Sequence, residues 1–432
     1  MIWKCSASTS YKTVMKMSEQ EDCLDRLGKI TLFLCILLEK NEFLARLDYL
    51  QWPALFMLIG ILLIQLMRKN RVLNDFVFVW LIAFTLCTAC SAAWAFNANE
   101  VIDDVKFLIK IIVVLGYGLY VTKRENSIEF LVSAMIISTL LSVGMLLPNI
   151  MTHGGSQIIR RAQIAIMGVE INANQVCPDI AFAAIFLMYR IKTCGRKLCK
   201  FAYWGIMGLF VLTILFLGSR ASLLLVLCGM LFNALTGSGR SILRHIILAL
   251  ILIVIMLILI MNIPFLYDSI GNRIVDTVNL VLGESYISDN QQSDNLRWQL
   301  IKDGWDMFLQ QPLLGYGSGN YADIHLTHYG ARYYSHNNYI ELLASLGIVG
   351  TAIFYSFHIK ILLDILCNKR VYKNNSIYLA KHIILCMLIL DITYVTYNVM
   401  DMLFCLLIAY GGYIVGIWPK REGISNEDFI CS

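Results

Sequence analysis

Charge is what this chain has least of. Only 15% of its 432 residues are Asp, Glu, Lys or Arg, while 58% are apolar. A soluble domain is nearer a quarter charged and half apolar. A disordered chain, a coiled coil and an ordinary cytosolic enzyme are excluded on that ground. Proline is also scarce, at 6 residues against 28 glycines, so little interrupts long helices. The net charge of +5 is too mild to argue for nucleic acid. No Asp-x-Asp pair occurs, which disfavours a divalent cation holding a sugar nucleotide. The first 28 residues are polar and mixed in charge, with no apolar core before a small-residue cleavage site, so no cleavable signal peptide is expected. The 13 cysteines are the apparent exception, but most sit in apolar runs, where a thiol behaves as a small hydrophobe. Cys87 and Cys90 form the only CxxC, and their apolar setting predicts buried helix packing rather than zinc or redox chemistry.

What the chain has in place of charge is a series of bilayer-length apolar runs. They fall at about 50–67, 74–95, 104–121, 127–148, 172–190, 201–218, 220–237, 244–262, 338–364, 380–397 and 400–418, each near the ~20 residues that cross a hydrocarbon core. A weaker run over residues 29–38 would be a short first span or an interfacial segment. With both termini inside, most Lys and Arg fall in cytoplasmic segments, and this bias favours counting the weak run as a span. The expected fold is therefore all-α and polytopic, with about 12 transmembrane helices. Its parts are a cytoplasmic segment 1–28, helices one to nine over 29–262, an extracytoplasmic loop 263–335, helices ten to twelve over 336–418 and a cytoplasmic tail 419–432.

The loop is too long for a turn, and such loops are usually functional or disordered. This one has helical patterning. Ile274, Val275, Val278, Val281 and Leu282 recur up to a Gly283 stop. Leu296, Leu300, Ile301, Trp305, Phe308 and Leu309 form a second stripe, opened by Ser293-Asp294 and closed by Pro312. Two amphipathic helices that lie on the outer membrane surface or cap a cavity are predicted.

Candidate chemistry lies at the outer ends of the spans. Arg220 follows Gly218-Ser219 between two apolar runs, where a cation is costly unless paired or wetted. A snorkelling arginine is the bland alternative. Arg297 lies beside the second loop stripe, and Arg160-Arg161 precede the sixth span. Guanidinium groups bind phosphate oxygens in bidentate geometry, so four on one face suit a lipid phosphate or pyrophosphate, though headgroup anchoring predicts the same enrichment. Ser335 is a plausible N-cap for the tenth span, and His336 beside that positive helix end stays neutral near pH 7, a competent general base or else an interfacial histidine. His325 and His328 are poorly spaced for zinc, so no metal site and no cofactor are expected. The run Gly315-Tyr316-Gly317-Ser318-Gly319-Asn320 lacks the lysine of a phosphate loop and reads as tight backbone packing. Pro178 should kink the sixth span, and Asp391 or Asp179 could pair with Lys106 or Lys110.

Taken in order, Ser219-Arg220, Arg297-Trp298, Pro312-Leu313-Leu314-Gly315-Tyr316-Gly317, His336-Asn337-x-Tyr339 and Leu346-Gly347-Ile348-Val349-Gly350 resemble the O-antigen ligase and O-antigen polymerase superfamily. Asn172 and Asn174 opening the sixth span also look like that family's segment there. The resemblance runs from about residue 160 onward and implies a GT-C-like membrane glycosyltransferase in the inner membrane. Such an enzyme moves a glycan from undecaprenyl pyrophosphate to an acceptor hydroxyl on the extracytoplasmic side, without metal and with inversion. It implies Arg220 and Arg297, joined by Arg160 and Arg161, on the donor pyrophosphate, and His336 as the base. Ser219, Asn337, Tyr339 and Glu341 would be supporting residues. Ser345 stands where members often carry Glu, and Glu341 lies one turn earlier. Its partners would be the lipid-linked donor, a glycan or lipid-linked acceptor, membrane lipids and polysaccharide assembly proteins, with no nucleic acid. Polymerase is preferred slightly to ligase because nothing signals a lipid-core acceptor. A transporter or flippase for the same lipid-linked glycans is the rival from another class and would show paired halves with broken midplane helices. A structural membrane subunit is the bland reading.

Overall fold

The structure, a computed structural model, describes residues 23–40, 48–67, 75–153, 164–166, 169–171, 173–235, 289–367 and 374–417, with isolated positions between 258 and 275. In chain order come α1 (Cys23–Lys40), α2 (Asp48–Met67), α3 (Phe76–Ser91), α4 (Ala98–Glu125) and α5 (Glu129–His153), then the strands β1 (Ile164–Ile166) and β2 (Val169–Ile171). They are followed by α6 (Ala173–Thr193), α7 (Lys197–Leu217), α8 (Arg220–Leu235), α9 (Asp289–Gln310) and α10 (Tyr321–Tyr329). The last helices are α11 (Asn338–Cys367), α12 (Asn375–Leu390) and α13 (Met400–Ile417).

The fold is helical with one departure from all-α: an antiparallel hairpin pairs Ile164 with Ile171 and Ile166 with Val169. Three residues a side are too few for a periodicity signal. Among the described residues, five helices are long and apolar enough to cross a membrane: α4, the 129–148 part of α5, α7, α11 and α13. Outward-facing Leu198, Phe201, Phe56 and Leu86 are all more than half exposed, which fits hydrocarbon rather than water. Cys90 is also exposed and Cys87 partly so, so that pair faces outward, not into the packed core. The weak first run is part of α1, an 18-residue helix inside the bundle. Its Asp25 end meets Gln65 (3.0 Å), Tyr120 (2.8 Å) and Arg124, and its Glu39 end meets Lys110 (3.2 Å). It therefore runs the height of α4 between Lys110 and Arg124. The expected span at 244–262, the first loop helix and the two terminal tails lie mostly or wholly outside the described residues.

Ion pairs gather at both ends of the bundle. Lys29–Glu125, Lys123–Asp75, Arg124–Asp25, Arg190–Glu129 and Lys360–Asp364 pair at one end. The other end carries α9, α10 and the start of α11. The apolar core is continuous from α1 to α13, with Phe84, Tyr117, Phe182, Phe210, Phe354 and Phe404 fully buried. A smaller core of Met307, Tyr321, Ile324, Ile340 and Ala344 joins α9 and α10 to α11. The face α9 buries there is Leu300, Asp303, Gly304 and Met307, whereas Leu296, Trp305 and Leu309 of the expected stripe point outward. An outward apolar face suits a helix lying on a bilayer. It starts at Asp289, ahead of Ser293-Asp294, and stops two residues before Pro312. Helix α12 likewise stops at Leu390, short of the expected 397.

Helix α11 is broken at Gly347 (φ 62°, ψ −166°), a backbone region open essentially to glycine alone. The break frees the carbonyls of Ala344 and Ser345 and the N–H groups of Ile348 and Val349. The 312–317 segment takes up all four. Tyr316 and Gly317 N–H donate to Ala344 (3.0 Å) and Ser345 (2.8 Å), while Pro312 and Leu313 carbonyls accept from Ile348 (2.9 Å) and Val349 (3.3 Å). A Cβ on Gly347 would stand 2.3 Å from the Leu313 carbonyl oxygen, and one on Gly315 would stand 2.6 Å from that of Ala344. Tight backbone packing is thus what the glycine-rich run provides. We expect Gly347→Ala to lower stability by at least ~1 kcal/mol. Gly60→Ala, on α2 with open space at its Cβ, should be neutral or gain up to about 1 kcal/mol. Thermal unfolding in one detergent compares the two.

Candidate functional site

The chain enters α11 through a tight turn over residues 334–337. Asn337, not Ser335, caps the helix: its Oδ1 accepts from Ile340 N–H at 3.0 Å. Ser335 sits two residues too early for that role. Its Oγ instead accepts from Asn337 N–H (3.1 Å) and donates to the Asn337 carbonyl (2.7 Å). This geometry leaves His336 at φ 55°, in the left-handed region where non-glycine residues are uncommon. Glu341 holds the turn from below, its Oε2 accepting from Ser335 N–H at 2.9 Å. Its bond goes to the backbone that carries the imidazole.

The base of the turn is fixed by the end of α12. Asn337 Nδ2 donates to the Ile392 carbonyl (3.0 Å), and Asn338 N–H donates to that of Asp391 (2.8 Å). Asn338 Oδ1 accepts from Thr396 and Tyr397 N–H at 2.9 and 3.1 Å. The Asp391 carboxylate accepts from Tyr355 (2.9 Å) and Thr396 (2.6 Å) hydroxyls, so it closes a buried network rather than meeting a lysine. Lys106 and Lys110 pair with Asp103 and Glu39. On the outer side, Arg332 spans Asp323 and Glu100, both at 2.8 Å, tying the segment to α10 and α4. Hydrogen bonding from Asn97 and then the Arg332 charge hold the Asp323 carboxyl below its usual range.

His336 is half-buried, with the Tyr334 ring 3.9 Å away between centroids. Burial, and then the nearby Arg297 guanidinium, push its imidazole down to about 4. A neutral imidazole near pH 7 follows from that shift, as the sequence leads one to expect, but the cause differs: desolvation and a like charge, not the helix end, lower it. Arg297 acts on Tyr334 as well, so α9 brings one expected arginine to the expected histidine. Arg220 begins α8 immediately after the αL cap Gly218 (φ 70°) of α7. Ser219 is buried there and accepts from Ser222 N–H at 3.4 Å. Helix α8 packs on α6 and α12. Tyr339 turns away from the site, donating to Leu388 at 2.9 Å and stacking on Tyr355, a contact between helices. Arg160, Arg161 and Asn172 lie outside the described residues.

His325 takes a structural place, with Nδ1 2.6 Å from the Ala331 carbonyl and Nε2 3.3 Å from Asp303. Among the described residues no three His, Cys, Asp or Glu side chains cluster to hold a metal. Sequence reasoning missed Tyr334, Arg332 and Asn338. The Tyr333-Tyr334 pair in an otherwise polar stretch was the available signal for the first. We expect Arg297→Met to raise the His336 pKa above about 4 while leaving it short of 6.5, because burial, the larger cause, remains. NMR titration of the histidine ring protons measures it.

No curated protein matches the chain. Residues 205–355, which hold the α7–α8 junction, Arg297, His336 and the Gly347 break, match the family model described as O-antigen ligase, and this match supports the resemblance to the O-antigen ligase and polymerase superfamily.

Proposed function

We propose that this protein is a multi-pass inner-membrane glycosyltransferase of surface polysaccharide synthesis that moves a glycan from undecaprenyl pyrophosphate to an acceptor hydroxyl. The feature that carries the reading is a half-buried His336 close enough to the Arg297 guanidinium to feel its charge, at one end of a helical bundle. That end is read as extracytoplasmic, since the basic residues gather at the other. The segments 1–28, 29–262, 263–335, 336–418 and 419–432 remain the proposed division, with twelve spans.

In this mechanism His336 takes the proton of the acceptor hydroxyl as its oxygen attacks the anomeric carbon. The bond from that carbon to the pyrophosphate oxygen breaks on the opposite face, so the configuration inverts. Arg297 and Arg220, with Arg160 and Arg161, hold the departing charge, and fixed cations stabilise it in place of a metal. Glu341, Asn337 and Ser335 are positioning residues: they set the backbone of His336 and do not touch substrate. Tyr339 supports them through α12.

A base near 4 is weak in the free protein. Bringing a pyrophosphate beside Arg297 offsets the like charge that depresses His336, so donor binding strengthens the base.

His336→Ala should abolish transfer with purified protein and a defined lipid-linked donor while the protein stays folded, and near-normal transfer would refute the assignment. Arg220→Lys keeps the charge but loses the fork and should cost at least a few-fold in rate. Its full activity would rule out bidentate binding. The proton must be off His336 for transfer, so kcat/KM should fall only as pH drops toward about 4, with kcat falling at higher pH because the donor is bound. An acid limb of kcat/KM near 6.5 would contradict this. Offering a second lipid-linked repeat and a lipid core separately decides between polymerase and ligase.

A further inference from the structure

Beside the stretch after α12 that anchors the His336 turn, the bundle holds a partly open cavity of about 220 Å³. That is the space of roughly seven waters, enough for one monosaccharide ring. Thr139 and Ser142 of α5, Asp179 of α6, and Tyr394, Asn398 and Asp401 line it. Of its lining residues Gln175 and Asn398 are exposed, whereas Thr139 is 1% exposed.

Two features call for a ligand. The first is Thr139 itself. Elsewhere in these helices Thr85, Thr122, Thr213 and Thr351 each donate to the carbonyl four residues earlier, at 2.7–3.0 Å. The Thr139 hydroxyl is buried and has no partner among the described residues, although buried hydroxyls are normally satisfied. Of the described threonines Thr88, away from the cavity lining, shares the lack of a partner. The second is the chemistry of the wall. Hydroxyls, amides and carboxylates surround a Tyr ring, and no lysine or arginine lines the space among the described residues. Carboxylates inside a membrane bundle mark substrate paths. Such a wall accepts bonds from sugar hydroxyls or an ammonium, and among the described residues it offers phosphate no lysine or arginine.

We propose that this cavity is a glycosyl-binding subsite that takes one uncharged or amine-bearing sugar ring of a glycan substrate and excludes its phosphate. The proposal rests on the glycan-transfer reading and extends it. It also explains a shared element: Ile392, Thr396 and Tyr397 hold Asn337 and Asn338, while Tyr394, Asn398 and Asp401 of the same stretch face the cavity. A ring seated there lies beside the stretch that anchors the turn of the base, and the pyrophosphate stays with the arginines.

The test is saturation-transfer NMR on the full chain in nanodiscs, using methyl glycosides of glucose, N-acetylglucosamine and glucosamine, with inorganic pyrophosphate as competitor. At least one glycoside should bind both the wild type and His336→Ala. Its affinity should fall roughly fivefold or more, the loss of about one hydrogen bond, in Thr139→Val or Asp179→Asn. Pyrophosphate should not displace it. No glycoside binding, binding unchanged in both variants, or displacement by pyrophosphate overturns the proposal. Should either variant fail to unfold cooperatively, Ser142→Ala and Asn398→Ala replace it. Because His336→Ala is included, glycoside binding without any transfer by the wild type would sink the transfer reading alone. Transfer without glycoside binding would sink the cavity alone.

Discussion

A peptide N–H in a bilayer has no water to turn to, and the protein's central device answers that constraint. Gly347 interrupts α11 and releases two carbonyls and two N–H groups, and the 312–317 backbone bonds all four. The outer segment thereby becomes part of a spanning helix. The fragment of α11 above the break, Asn338 to Leu346, is clamped on one side by this exchange and on another by Asp391 and Thr396. It is the platform on which the His336 turn stands.

The electrostatics of that turn depend on where the carboxylates are used. Glu341 and Asp391 are both buried near His336 in the chain fold, yet their bonds go to Ser335 N–H and to the Tyr355 and Thr396 hydroxyls. The perturbing charge on the imidazole is the Arg297 cation. A carboxylate against the ring would raise its pKa, whereas burial beside a guanidinium lowers it. The arrangement favours a neutral ring that an incoming anion can strengthen. It differs from a carboxylate-backed histidine, whose basicity is set before substrate arrives.

Much of this was legible in the sequence. The Gly218 stop before Ser219-Arg220 marked a helix junction, since glycine readily takes the αL cap, and α8 begins there. The order of Arg297, the glycine-rich run and His336 placed one loop helix against one span. Helix ends were less legible. Ser335 reads as a cap because its type fits, but the turn hands that role to Asn337, and only tertiary bonds to Ile392 reveal why. Helix α12 looks apolar to residue 397, yet the chain leaves the helix at Asp391 because Asn338 uses the following backbone. Asp391 reads as a lysine's partner by charge alone, while the fold gives it hydroxyls instead. The β1–β2 hairpin left no periodic trace strong enough to read, and the α9 stripe reads as one face although the fold divides it, burying Leu300 and turning Leu296, Trp305 and Leu309 outward.

The stitching at Gly347 has a consequence for traffic through the site. Four backbone bonds tie the 312–317 segment, between α9 and α10, to the broken helix, so among the described residues that segment offers no hinge of its own beside the His336 platform. On the proposed glycan-transfer reading, substrate would reach the imidazole past a rim that stays in place through the cycle.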